Sequence, residues 1–221
     1  HILFSSDISD MVERTYKNRH EQLGLIQGYN TWFERRDIRE LRGSEINDFI
    51  SNLEIFKNTD IPEIDLLIGG PSCQGFSRAG RRDKSDPRNM LFGEYVRVVS
   101  EISPKYIVLE NVEGFMDMQF VGYKGLTGIE YPDGTVTPDI LKSELNAVGY
   151  ETLEPKILNA ADYGVPQRRN RVIFIGYKRG LTPPVYPEPK FNSDNYITLQ
   201  EAIGDLISDD KLRKKDRKSV V

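Results

Sequence analysis

The chain has 221 residues, 38% of them apolar and 29% charged, with a formal net charge of −4. This is the balance of a soluble globular chain long enough to bury a substantial core, and it excludes a disordered polypeptide; the net charge alone gives no hint of a polyanionic partner. No apolar run approaches the ~20 residues of a membrane span, the single cysteine excludes an internal disulfide framework and fits a reducing cytoplasm, and one Cys with His1 and His20 cannot supply a usual structural zinc set, so no metal is expected.

Residues 2–7 (ILFSSD) read as a strand and 9–19 as a helix. The run 64–70 (IDLLIGG) is continuously apolar and ends in glycines, the pattern of a strand buried on both faces. Over 89–102, Leu91, Tyr95, Val98, Val99 and Ile102 recur at helical spacing, and 105–111 (KYIVLEN) is a second buried strand. Residues 138–150 read as a helix with Pro138 near its start and Gly149 at its end. Residues 171–178 (RVIFIGYK) form another strand, and 198–206 a short helix opened by Thr198. This alternation predicts an α/β domain with a mostly parallel sheet. The Gly- and Pro-rich stretch 119–138 reads as a loop, and Pro183, Pro184, Pro187 and Pro189 make 180–196 an extended linker out of the core.

The charge distribution says more than its sum. Arg78, Arg81, Arg82, Lys84 and Arg88 cluster after the single cysteine, Arg168, Arg169, Arg171, Lys178 and Arg179 form a second group, and 211–218 is a third basic run. Any one such patch is most simply a solvated face, but local basic patches also bind phosphates.

Three features fall at strand ends, where open α/β sheets place their sites. Cys73 lies three residues past IDLLIGG, in a turn bent by Gly69, Gly70, Pro71 and Gly75, and such a bend exposes a side chain. Glu110-Asn111-Val112 ends the 105–111 strand, and Gln-Arg-Arg-Asn-Arg (167–171) enters the 171–178 strand. Taken singly these are an inert cysteine, a capping acid and a surface cluster. A cysteine protease needs a histidine base, and both histidines precede the first clear core strand. A thiolate beside a proton-donating acid suits addition to an electron-poor ring: the thiolate adds to one carbon, the acid protonates a ring nitrogen, and the neighbouring carbon becomes nucleophilic.

In these residues the chain resembles the DNA (cytosine-5) methyltransferases of bacteria. GGPSCQGFS (69–77) resembles the family's Pro-Cys-Gln nucleophile motif, ENV (110–112) its Glu-Asn-Val motif, QRRNR its Gln-x-Arg-x-Arg motif, and DPRNMLF (86–92) the segment between the first two, all in the family's order over residues 2 to 206. The resemblance implies a Rossmann-like, S-adenosylmethionine-dependent methyltransferase fold. It implies a catalytic domain over 1–180 and a linker over 181–221 leading toward a target-recognition region. The implied reaction is transfer of a methyl group to C5 of cytosine in double-stranded DNA, on a base flipped out of the helix.

Residue by residue, the resemblance makes Cys73 the nucleophile at C6, Glu110 the group at N3, Arg171 a contact to the cytosine O2 and Arg169 a support of the Cys73 loop or the adduct. Ser72, Gln74, Ser77, Asn111 and Gln167 match substrate or DNA positions, with Asn111 holding the nucleophile loop in register. For S-adenosylmethionine it implies Asp7 at the ribose, Ile8 and Ile38 on the adenine faces, Asp37 near the adenine amino group, and Pro71 and Leu91 along the cofactor, where Asp7 and Asp37 read otherwise as helix caps. The implied setting is a cytoplasmic bacterial protein acting at the nucleoid. It would be a monomer, serving a restriction–modification system beside an endonuclease with no stable complex.

Two departures matter. Ser72 stands before the nucleophile where the family usually has proline. The chain also opens past the family's first strand and glycine-rich cofactor loop, so the expectation is a sheet lacking its first strand. That strand would lie between 2–7 and 64–70, and those two should not pair directly. A catalytically silent DNA-binding relative and an RNA cytosine-5 methyltransferase remain as other readings. A generic dinucleotide-binding domain lacks a Gly-x-Gly-x-x-Gly.

Overall fold

A computed structural model describes residues 1–57, 59–61, 63–72 and 90–207. Cys73, Gln74 and Ser77, the basic cluster from Arg78 to Arg88 and the basic run 211–218 lie outside the described residues.

The described strands form two sheets. In the smaller, β1 (Phe4–Asp7) pairs in parallel with β2 (Trp32–Arg35), Asp7 opposite Arg35. The connection is α1 (Asp10–Gln22), which Ser9 caps by accepting from the Val12 amide, with Asp10 and Glu13 in the first turn and Arg19 and His20 in the last, complementing the helix dipole. After β2 comes α2 (Gly43–Ser51).

The larger sheet holds β3 (Leu66–Gly69), β4 (Tyr106–Asn111), β5 (Tyr150–Thr152), β6 (Lys156–Asn159) and β7 (Asn170–Lys178). β3 and β4 are parallel, and β7 runs antiparallel to β4, β5 and β6. Four of these strands therefore share one direction and β7 alone is reversed. Because β7 sits inside the sheet, most ladders are antiparallel although most strands run one way. Two helices cover one face. α3 (Leu91–Ile102) ends at Ser103, in the left-handed region with φ 54°, before Pro104, and α4 (Thr137–Ala147) opens with proline and ends before Gly149 at φ 95°.

The main core lies between this sheet and α3 and α4. Phe92, Val96, Val99, Ile107, Leu109, Phe115, Ile140, Leu141, Leu145, Val172 and Phe174 are buried there. β3 is pressed so close to α3 that a Cβ on Gly69 would fall 2.5 Å from the Tyr95 ring. A second cluster, Leu41, Ile46, Ile50 and Val98, takes in Phe4 of β1, Leu67 of β3 and Ile102 of α3, so one apolar layer spans both sheets.

The expected elements are present, and β2, α2, β5 and β6 are additions. Each added strand has three or four residues, too short for alternation to register in the sequence. As expected, 2–7 and 64–70 do not pair: β1 joins β2 and β3 joins β4, leaving one edge of each without a strand neighbour among the described residues. On the face of β3 away from α3, Leu66 and Ile68 are exposed.

Two stretches read as loop and linker are firmly packed. In 119–138, the buried Glu144 carboxylate accepts from the Thr127 amide, the Thr127 hydroxyl and the Tyr131 hydroxyl. That knot fastens the loop to α4. In 180–196, the buried Tyr186 donates to Ile173 O at 2.8 Å, and the Lys190 and Phe191 amides donate to Asp162 O. The segment is extended, as its prolines require, and it runs docked along the domain.

Candidate active site

β3 and β4 point their C-terminal ends to one edge, and the reversed β7 begins there. Glu110-Asn111, the loop of arginines before β7 and the described start of the turn that leads to Cys73 meet at this edge. Side chains alternate along β4, so Glu110 and Asn111 face opposite sides. Glu110 stands opposite Ile173, and Arg171, two residues earlier on β7, shares its face. The Arg171 Nε lies 2.6 Å from Glu110 Oε1, and the two side chains are 22% and 42% exposed. Arg171 Nη1 also donates to Asn170 O at 2.7 Å. A pair this exposed adds little stability; its content is a fixed carboxylate and guanidinium side by side at an open edge.

Asn111 is 1% exposed. Its Nδ2 donates to Pro71 O at 3.2 Å and its Oδ1 accepts from the Val112 amide at 2.9 Å. One side chain thus clamps the turn after β3 to the end of β4. Gly70 lies against the acid, since a Cβ there would sit 3.4 Å from Glu110 Oε2. The turn that leads through the half-buried Pro71 and Ser72 to Cys73 therefore starts beside Glu110.

Gln167, Arg168 and Arg169 are exposed on the loop before β7. The Arg169 amide donates to Asn159 Oδ1 at 3.1 Å, and Asn159 Nδ2 reaches Asp162 and the Tyr196 hydroxyl. Tyr196 donates to Asp162 Oδ1 at 2.6 Å, a bond that raises the phenol's pKa, and the Arg168 guanidinium lies over the Tyr196 ring at 5.5 Å. Residues well past β7 so fasten the arginine loop, and nothing in the sequence around Tyr196 marked it. Asn170 Nδ2 likewise ties β7 to Glu113 Oε1 at 2.9 Å.

At the end of β1, Asp7 Oδ1 accepts from the Ser9 amide at 2.8 Å, closing a turn onto the cap residue, while Ser9 itself caps α1; the next residue, Ile8, is 67% exposed. Just past β2, Asp37 accepts from the Arg39 amide and guanidinium, which hold its carboxyl below the usual range. Ile38 packs on the Leu41–Ile46 cluster. Leu91 opens α3, where a first-turn amide has no partner within the helix. Among the described residues no group of three or more His, Cys, Asp or Glu is arranged to hold a metal, and no helix is long and apolar enough to cross a membrane.

The chain is 44% identical over 149 residues to the type II methyltransferase M.DdeI of Desulfomicrobium norvegicum, covering 66% of this chain and 33% of that protein. It is 31% identical over 218 residues to the type II methyltransferase M.FnuDI of Fusobacterium nucleatum, covering 98% and 52%. The chain thus spans a third to about half the length of these relatives. Its structure is similar, at a TM-score of 0.61 and 28% identity, to a crystal structure assigned as a prophage-encoded DNA modification methyltransferase (E. coli), covering 92% of this chain and 48% of that one. The Spodoptera frugiperda DNMT2 structure, at 0.53 and 22% identity over 90% of this chain and 47% of that one, shares the fold. The sequence model for C-5 cytosine-specific DNA methylases matches residues 2–220, and the chain belongs to that family.

Proposed function

We propose that the whole protein transfers a methyl group from S-adenosylmethionine to C5 of cytosine in double-stranded DNA. The observation that carries this reading is the convergence at one sheet edge of the turn leading to Cys73, the Glu110 carboxylate and the Arg171 guanidinium. A ring atom inside a duplex is out of reach, so the target base is flipped into the site.

In this reading the Cys73 thiolate adds to C6 of the flipped cytosine. Glu110 holds a proton at N3, and the added electron pair moves to C5, which becomes nucleophilic. Arg171 keeps Glu110 aimed and contacts O2. C5 takes the methyl group, with S-adenosylhomocysteine as the leaving product; the C5 proton then leaves to a base, the C5–C6 double bond re-forms, and Cys73 is expelled. A free thiol titrates near ~8.5, so the Cys73 turn has to favour the thiolate. Asn111 holds that turn on β4, and Arg169, Gln167, Gln74, Ser77 and Ser72 serve the adduct and the DNA.

S-adenosylmethionine supplies an electrophilic methyl group. The residues at the β1 and β2 ends fit it. Asp7 keeps Oδ2 without a partner among the described residues, as a ribose acceptor requires, and the exposed Ile8 offers an apolar surface. Asp37, Ile38, Pro71 and Leu91 complete the set, although Ile38 gives part of its surface to the core. Residues 181–221 lead toward a recognition region. Double-stranded DNA is the partner, in the cytoplasm of a bacterium, with the protein a monomer and an endonuclease acting on the same sites without a stable complex.

The test is transfer of labelled methyl from S-adenosylmethionine to mixed-sequence duplex DNA by the full-length protein, with Cys73→Ser beside it. Transfer by the wild type that vanishes in Cys73→Ser is the expected result. Transfer to RNA alone, or to neither, overturns the reading.

A further inference from the structure

Arg97 stands in the apolar run Tyr95–Val99 of α3 and is 8% exposed. A buried guanidinium is costly unless its donors are matched, and an apolar residue of similar size serves packing alone at least as well. Here the donors are matched in full view of two separate elements. Nε donates to Glu94 Oε2 at 2.8 Å and Nη1 to Glu101 Oε2 at 2.7 Å. Nη2 donates to two backbone carbonyls, Ile38 O at 2.7 Å and Leu41 O at 3.0 Å. Glu101 Oε2 in turn accepts from the Gly43 amide at 2.5 Å, and Gly43 lies so close to Glu101 that a Cβ there would collide with it.

α3 therefore grips the backbone of 38–43 at three points. That segment follows Asp37 directly. The same helix begins at Leu91, six residues before Arg97 and so about 9 Å along the axis at ~1.5 Å per residue. The two sheets share no strand ladder among the described residues. Beside the apolar layer around Leu41 and Val98, the Arg97 fork is what fixes the β2 exit relative to α3.

We propose that Arg97 is a positioning residue for the cofactor: by holding the Ile38 and Leu41 carbonyls, it sets the spacing between the Asp37–Ile38 side of the cofactor site and the Leu91 side. This rests on the methyltransferase reading. Lysine keeps the charge but cannot hold both carbonyls and both acids as the planar fork does, and methionine keeps only the stem.

The experiment measures the dissociation constant of S-adenosylhomocysteine by calorimetry for the full-length wild type, Arg97→Lys and Arg97→Met. KM for DNA, kcat at saturating cofactor and Tm are measured beside it. The expected result is binding weakened about tenfold or more in both variants, the change that ~1.4 kcal/mol produces, with KM for DNA and saturated kcat nearly unchanged. A lowered Tm with an unchanged dissociation constant gives Arg97 a structural role only and overturns the proposal. Gly43→Ala pushes the same segment off α3 at Glu101, the acid that Arg97 Nη1 holds, while leaving Arg97 itself in place, and it is expected to weaken the analogue likewise. If the Arg97 variants fail to fold, unchanged binding by Gly43→Ala overturns the proposal. A wild type that binds no analogue overturns instead the methyltransferase reading beneath it.

Discussion

Replacing Asn111 by alanine tests whether the turn before Cys73 is held from β4. The change removes the donor to Pro71 O and the acceptor from the Val112 amide, inside a site where Asn111 is 1% exposed. A buried polar group left unpaired costs about 1–3 kcal/mol. Pro71 and Val112 are themselves half-buried, so water recovers part of that, and the expected loss is near the low end for two groups, about 2 kcal/mol. At roughly 2–4 °C per kcal/mol for a domain of 150–250 residues, Tm falls by about 4–8 °C. Asn111→Asp keeps the acceptor for Val112 but sets a carboxylate oxygen against Pro71 O, so it loses more. The catalytic effect is separate. A turn freed by ~1 Å can cost about 10²-fold in rate, measured as saturated kcat well below the melting range. The assays are thermal and urea melts and steady-state methyl transfer at saturating cofactor and DNA in the full-length protein. Stability within ~0.5 kcal/mol and kcat within about twofold of wild type for Asn111→Ala would refute the clamp.

Other outcomes follow from the same geometry. Glu110→Gln keeps the shape at a side chain 42% exposed, so Tm should hardly move while transfer falls by about 10²–10⁴-fold; a variant with wild-type kcat removes Glu110 from the chemistry. Gly125→Ala drives a methyl group into the buried Glu144 carboxylate, so thermal melts should show a loss of about 1–3 kcal/mol with saturated kcat unchanged; an unchanged Tm would mean that the 119–138 loop is not fastened there. His20 is 6% exposed against Tyr16, with ring centroids 3.8 Å apart, and burial holds its pKa below the ordinary value. The unfolded chain then binds the proton more readily, so this contribution is complete above the unfolded pKa of ~6.5 and is lost as pH falls through that value toward the lower folded one. Denaturant midpoints across that window should slope less in His20→Gln than in wild type, and equal slopes would refute the assignment.

What the sequence determined by itself was chemistry in order along the chain. The turn residues around Cys73, the acid closing 105–111 and the arginines before 171–178 are readable because each sits at the end of a long apolar strand, and those strands need no partner to be recognised. Family membership followed from the same residues. The expectation that 2–7 and 64–70 do not pair came from the family resemblance, which puts a further strand between them.

Tertiary structure decided what touches what. Short elements such as β2, β5 and β6 carry too few residues for a period and exist because β1 and β7 offer edges to pair with. β7 is reversed, which no apolar pattern encodes, and only that reversal brings Arg171 back to Glu110. The loop at 119–138 is fixed by Glu144, a charged residue on a helix that reads as ordinary surface until its three donors fold over it. Arg97 left one visible trace, a charge inside an apolar run. What it holds are backbone carbonyls 56 and 59 residues away, and backbone groups have no letter in a sequence.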